Sequence, residues 1–290
     1  MAAGGFRWLP FRGDRSGQSA AVGTILAIMV MLMLLTVVTT RWIPVWVAGR
    51  EAEHAGEVEA QFAELKKTID QQALFGTPGL SVGNPLTLGH PGVPVFAPGA
   101  SGVINNGAFG ANLYRNQLNV QNATQVLNQT AYGAIKYSTS NTRYIQQSYL
   151  YEFGGIIVNQ TDGQILIAGP GFQFDNSSNA TQIRLTLISV AGDGSSFGSD
   201  DTISIRTSLL FAPLWTEVNF TTPEVIWLNL TSESVGAWAS HLNKSISSRL
   251  PAGQFNITLD MLTNTVSVRF ETVSKITISY QVFNSELDLS

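Results

Sequence analysis

Cysteine is absent from the 290 residues, which excludes disulfide staples, thiolate nucleophiles and Cys-based metal sites. Charge is scarce as well: Asp, Glu, Lys and Arg make up 12% of the chain, about half the ~25% usual for a soluble domain. The surface must be polar through Asn, Ser, Thr and Gly. Lys and Arg form no cluster in the body of the chain, and the net charge is -4, so nucleic acid is not an expected partner. The three histidines, His54, His90 and His241, fall in no metal-ligand spacing, and no metal or cofactor is expected. Gly194 to Gly198 spells G-x-S-x-G, but in a polar loop without the strand-turn-helix setting that a nucleophile elbow needs. Asp193, Asp200 and Asp201 in that loop lack the spacing of a calcium hand and read as a solvated turn. The expectation is a protein that is not an enzyme.

One long apolar run stands out. From Ala20 to Val38 the only polar side chains are Thr24 and Thr36, and no charge appears before Arg41. A helix over Gln18 to Thr40 would reach roughly 34 Å, enough for ~30 Å of hydrocarbon. The run is longer than the apolar part of a cleaved export signal, and Thr-Thr-Arg-Trp-Ile-Pro-Val-Trp after Val38 reads as an interface belt, not a cleavage site. Arg7, Arg12 and Arg15 precede it, which predicts the leader in the cytoplasm and the remainder outside. Arg12-Gly-Asp14, an adhesion tripeptide by spelling, then faces the cytoplasm. Asn-x-Ser/Thr occurs at Asn122, Asn128, Asn159, Asn176, Asn179, Asn219, Asn229, Asn243 and Asn256, nine of eighteen asparagines where chance gives about three; the excess predicts a glycosylated exterior.

Beyond the run, Glu51 to Asp70 sets Ala55, Val58, Phe62, Leu65 and Ile69 at alternating spacings of three and four, a heptad seam. Two partners suit such a seam: the chain's own globular domain or another subunit. Pro44 predicts a kink or break before it, with a fresh helix start near Gly49. Residues 74 to 112, rich in Gly and Pro, predict turns and short strands, because Val82, Leu86, Leu88, Val93, Val95 and Phe96 interrupt them. Strands are predicted from about Tyr114 onward: a hairpin around Asp162-Gly163, then Gln182 to Val190, Thr202 to Phe211, Thr216 to Phe220, Glu224 to Leu230, Phe255 to Leu262 and Val266 to Val282. One helix, capped by Thr231 and running to Leu250, should cover a sheet face or edge through Val235, Trp238, Ala239, Leu242 and Ile246. The expected class is α+β: a long N-terminal helix and a mostly antiparallel, β-sandwich-like ectodomain with one amphipathic helix.

The start of the chain, Arg15-Ser-Gly17-Gln18 followed by the apolar run, resembles the class III signal of archaeal type IV pilins and archaellin-like surface proteins. The acidic stretch with Gln61-Phe-Ala-Glu-Leu-Lys66 and the segment Tyr149 to Ile157 also look like that family. The resemblance implies a leader 1–17 removed by a prepilin peptidase after Gly17, leaving Gln18 as N-terminus. It implies a membrane and filament-core helix at 18–47, an amphipathic juxtamembrane helix at 48–73 and an extracellular head at 74–290. Val22 stands where bacterial pilins carry Glu. The implied function is that of a structural subunit of a type IV pilus-like filament at the cell surface, self-associating through its helix with the pilus assembly machinery and serving adhesion. The alternative is a single-pass, non-polymerising envelope binding protein.

Overall fold

A computed structural model of the chain describes residues 15–94, 96–107, 117–124, 126–177 and 180–289. Residues 1–14 of the leader, with Arg7 and the Arg12-Gly-Asp14 tripeptide, and Val95, Tyr114 and Asn179 lie outside the described residues. The chain divides into two compact units, 1–46 and 47–290. It is α+β: a long apolar N-terminal helix precedes a mostly antiparallel β domain.

Helix α1 spans Arg15–Val37 and helix α2 spans Ile43–Phe75, joined by a π-helical turn at Val38–Trp42. The α-helical pattern is interrupted by this turn just before Pro44, whereas the fresh start near Gly49 does not occur, because α2 runs through both positions. The wider turn just before Pro44 explains how α2 continues through the proline. There the Ile43 amide bonds Val38 O, five residues back, and the loosened backbone accommodates a ring that would otherwise clash with a carbonyl one turn earlier.

The strands are β1 Ser81–Thr87, β2 Gly102–Asn106, β3 Gln117–Asn122, β4 Asn128–Tyr132, β5 Ala134–Thr139, β6 Gln147–Glu152, β7 Gly155–Gln160 and β8 Gly163–Ala168. They continue with β9 Phe172–Ser177, β10 Ala180–Gly192, β11 Ser196–Ser199, β12 Thr202–Leu209 and β13 Leu214–Thr231, then helix α3 Val235–Ser247, β14 Phe255–Asp260 and β15 Thr265–Leu289. Six strands form one sheet in the order β11-β2-β5-β6-β7-β8. The other nine form a sheet whose path is β1-β12-β15-β13-β3-β4, with β10 and β14 also on β15 and β9 on β10. Strand β15 is the spine of that sheet, pairing antiparallel with β12, β13 and β14 and parallel with β10.

The alternation predicted for Ile183, Leu185 and Leu187 holds, all three being buried, and Ile276, Ile278 and Val282 are buried with Tyr280 packed beside them. Three local expectations fail. Thr216 to Phe220 and Glu224 to Leu230 belong to one strand, β13, whose pairing with β15 shifts register between Asn219 and Ile226; bulges carry the chain through what reads as a turn. The helix cap is Ser234, not Thr231, because Thr231 is still laddered to Thr265. Residues 196–199 form edge strand β11 on β2, although the sequence there reads as loop. The hairpin of β7 and β8 turns on Thr161 and Asp162, with Gly163 already paired to Gln160. Before it lies a hairpin that the sequence reading lacks: Glu152 pairs with Gly155 around Phe153 and Gly154, at φ 51° and 82°. Positive φ at both central residues suits the twist of a two-residue hairpin, and Gly at the second makes it accessible. Phe153 offsets its own strain by lying fully buried against Trp238.

Two apolar clusters organise the second unit, and both draw on both sheets. One gathers Leu118, Leu150, Leu185, Leu228, Val268 and Trp238 of α3. The other gathers Leu88, Tyr137, Ile156, Ile205 and Phe283 under the second half of α2.

Candidate functional site

The apolar run is the first element of the candidate site. It is the one helix, among the described residues, long and apolar enough to cross a membrane, and no residue of its apolar window is buried in the structure. Met31 and Leu32 are 71% and 56% exposed. Its hydroxyls leave nothing unsatisfied for lipid to cover: Thr24 Oγ1 donates to Ala21 O at 2.8 Å and Thr36 Oγ1 to Leu32 O at 2.8 Å, with Thr39 and Thr40 bonded likewise. Trp42 and Trp46 stack edge to face, 6.1 Å between ring centroids, a pair one turn apart that suits a bilayer interface. The backbone of Gly17 and Gln18 lies in the first turn of α1.

The neck, α2 from Val47 onward, behaves in the opposite way. Ala55, Val58, Phe62, Leu65 and Ile69 are all buried, and the last four join the cluster that holds Leu86, Leu88, Tyr149 and Phe283. Of the two partners open to the seam, the structure places the head of the same chain. Polar groups fix the register of this packing. The Gln61 amide donates to Thr87 Oγ1 at 3.0 Å and accepts from Thr87 N at 2.9 Å. Gln72 Nε2 donates to Thr207 O and Gln72 Oε1 accepts from Thr207 Oγ1, both at 3.0 Å. Thr68 Oγ1 donates to Asn84 Oδ1 at 2.8 Å, and Tyr149 Oη to Ala55 O at 2.8 Å.

Glu51 is the tightest of these clamps. Its carboxylate is buried and accepts from Thr142 N at 2.7 Å, Thr142 Oγ1 at 2.9 Å, Arg143 N at 2.8 Å and Tyr144 N at 2.5 Å. Successive amides turned to one point make an anion nest. Burial opposes the charge, yet the three amides and the hydroxyl outweigh it, and the carboxyl sits below its usual range. One turn on, His54 and His90 meet at 5.7 Å between centroids beside Tyr137. His54 Nε2 lies 3.0 Å from Thr87 O, and buried His90 Nε2 has no hydrogen-bond partner among the described residues. Desolvation holds His54 below the ordinary histidine range, helped by His90 and opposed by the Thr87 contact and Glu57. His241 lies apart, edge-on to Trp238. No group of three or more His, Asp or Glu that could hold a metal occurs among the described residues.

Glu152, at the end of β6, is a second buried carboxyl with the opposite character. Desolvation lifts it to about 7, although Ser232 Oγ donates to it at 2.6 Å and Trp238 Nε1 at 2.5 Å. It joins the Phe153-Gly154 hairpin to α3. Where the neck meets the head, a cavity of about 520 Å³ is lined by Lys66, Asp70, Leu74, Pro170, Ile188 and Trp215, with the Lys66 and Asp70 side chains paired at 2.7 Å.

The sequons divide by environment. Asn128, Asn176, Asn219, Asn243 and Asn256 are exposed, and Asn159 and Asn229 are half-buried. Asn159 exchanges hydrogen bonds with Ser234 Oγ at 3.0 and 3.1 Å. Asn122 is buried, donating to Thr124 Oγ1 at 2.7 Å and accepting from Leu127 N at 3.1 Å, so its amide is not presented to a transferase. Asp193 accepts from Ser195 N at 3.0 Å and forms a plain turn. The Glu51 nest and the His54–His90 contact join residues 91 and 36 positions apart in sequence; periodicity marks the seam but not partners that distant. No protein-family model, curated protein or solved structure matches this chain.

Proposed function

We propose that the chain is a structural subunit of an archaeal type IV pilus-like filament at the cell surface. In this reading its leader is removed after Gly17 by a prepilin peptidase, and the helix from Gln18 to Val47 rests in the membrane before entering a filament core with other copies. The head, read as sandwich-like and glycosylated, stands outside and provides spacing and adhesion.

The observation that carries the proposal is the contrast along the helix. The neck already spends its apolar face on its own head, so the run before it is left with a complete unburied apolar circumference. Such a surface needs lipid or other helices around it, and helices packed on helices replace lipid without exposing any of it to water. A non-polymerising, membrane-anchored envelope protein is the second reading, favoured by the neck seam being satisfied within one chain.

Intact mass of the mature protein tests processing: an N-terminus at Gln18 is expected, and one at Met1 or Ala2 removes the pilin reading. Negative-stain microscopy of cells expressing the tagged protein tests assembly. Filaments carrying the tag are expected; their absence, together with monomers alone after crosslinking, leaves the anchored protein.

A further inference from the structure

The outer face of β9, β10 and β15 carries two aligned rows of polar side chains. Pairing sets Gln173 opposite Arg184 and Arg184 opposite Thr277, and in the next row Asp175 opposite Gln182 and Gln182 opposite Lys275. The alternate residues Phe174, Ile183, Leu185, Ile276 and Ile278 are buried in the core. The rows line a shallow depression, and through Gln173 and Asp175 this adjoins a cavity of about 400 Å³ between β9 and the end of α3, where Phe172, Ser245 and Arg249 face it. With strands about 4.8 Å apart, three strands and the α3 flank give a trough on the order of 15 Å long.

Its charges are unusual for this chain. Twelve Lys and Arg residues follow Val47, and six of them, Lys66, Lys67, Lys136, Arg206, Arg269 and Lys275, are ion-paired. In the trough, Arg184 donates to the neutral Gln173 amide at 3.2 Å, and the Arg249 guanidinium has no partner among the described residues. The exposed Asp175 carboxylate has none either, although it shares the cavity with Arg249. Opposite charges in one cavity that leave each other unpaired keep donors and acceptors available for a third party.

We propose that this trough binds an acidic polysaccharide, a chain of uronate sugars. A guanidinium matches a sugar carboxylate through two parallel N–H bonds. Asp175 and Gln173 accept from and donate to ring hydroxyls, and Phe172 offers an apolar surface to the C–H face of a sugar ring. The pyranose repeat is close to the strand spacing, so successive rings running along a row meet successive strands. The unpaired Arg249 guanidinium, with Arg184 held only by a neutral amide and the field of Glu217, against one unpaired carboxylate favours an acidic chain over a neutral one. The inference names a target class for the adhesion suggested above, but binding needs only the folded head and does not depend on filament assembly.

The test uses the full chain in detergent micelles, where it is not polymerised, and calorimetric titration with hexagalacturonate and with cellohexaose. Hexagalacturonate is expected to bind, more weakly as salt rises, and cellohexaose at least tenfold more weakly. Arg184→Ala with Arg249→Ala should weaken hexagalacturonate about tenfold or more while leaving the thermal midpoint unchanged, since both side chains are exposed. The Lys67→Ala control should bind as the wild type does. Equal affinity for the two sugars, unaltered binding by the double variant, or an equal loss in the Lys67→Ala control would each overturn the proposal. Filament formation in cells separates the two readings: filaments from the wild type and from the double variant that has lost sugar binding support both, and wild-type binding without wild-type filaments supports the trough alone.

Discussion

Two stretches of helix, α1 and the neck part of α2, both carry large apolar side chains and meet opposite fates. In α1 the apolar residues surround the axis, and in the structure they are exposed on every side. In the neck they form one stripe, and Val58, Phe62, Leu65 and Ile69 are at most 1% exposed. A stripe can be satisfied by one surface, here the head, whereas a full circumference needs an apolar medium. The arrangement of apolar residues around the helix separates the stretch whose apolar stripe is buried within the second unit from the stretch whose apolar side chains are left exposed.

The sharpest way to break this comparison is to truncate each stretch. Phe62→Ala should destabilise the head by about 3–5 kcal/mol through the cavity it leaves, read as a lower midpoint in chemical denaturation of the micelle-bound protein, while Leu32→Ala should leave that midpoint in place. An equal loss from both would mean that α1 also packs on the head. The converse substitution is a charge. Leu32→Arg should oppose membrane insertion by about 2.5–3.5 kcal/mol, seen as protein lost from the membrane fraction, and the exposed neck residue Glu64 changed to Arg should not.

A third test concerns the polar clamps. Glu51→Gln replaces charge-assisted acceptance from three amides and should cost about 1.5–3 kcal/mol, with faster hydrogen exchange at Thr142, Arg143 and Tyr144. If those amides remain protected, the nest is held by its own loop and not by the neck. The smallest effect is in pH dependence, where the two buried glutamates oppose each other. Glu51 has a lowered pKa, so its contribution is present above the ordinary glutamate value and is lost as pH falls through the folded one. Glu152 is raised to about 7 from 4.5, so its contribution is complete below about 4.5 and is lost as pH rises through 7. Thermal midpoints from pH 4.5 to 8 should therefore decline less in Glu152→Gln than in the wild type; parallel profiles would remove Glu152 as the source.

Much of this was legible because it follows local periodicity. The α1 run, the Val58 to Ile69 stripe, the alternation in β10 and the face of α3 are all patterns within about twenty consecutive residues. The failures share a different cause. β13 reads as two strands because its bulges lie where Thr221, Thr222 and Pro223 resemble a turn, and the long partner β15 carries the pairing across them. The Phe153-Gly154 turn escaped notice because a bulky residue at positive φ is tolerable only when tertiary burial repays it. At Pro44 the expected kink or break takes the form of a single π-helical turn, while the expected start near Gly49 is absent. The nest around Glu51 joins a helix to a loop 91 residues on, and the trough depends on β10 lying beside the distant β15, pairings that no local pattern encodes.

Strand β15 has a consequence for how such a protein reaches its destination. Its partners β10, β12, β13 and β14 all precede it in the chain, so the nine-stranded sheet stays open until residues 265–289 arrive. A chain threaded across a membrane from its N-terminal helix onward would remain pliable through most of the transit, because pairings between distant segments form slowly and late. The last long strand would then act as the closing pin, locking the head only once nearly all of it is on the far side.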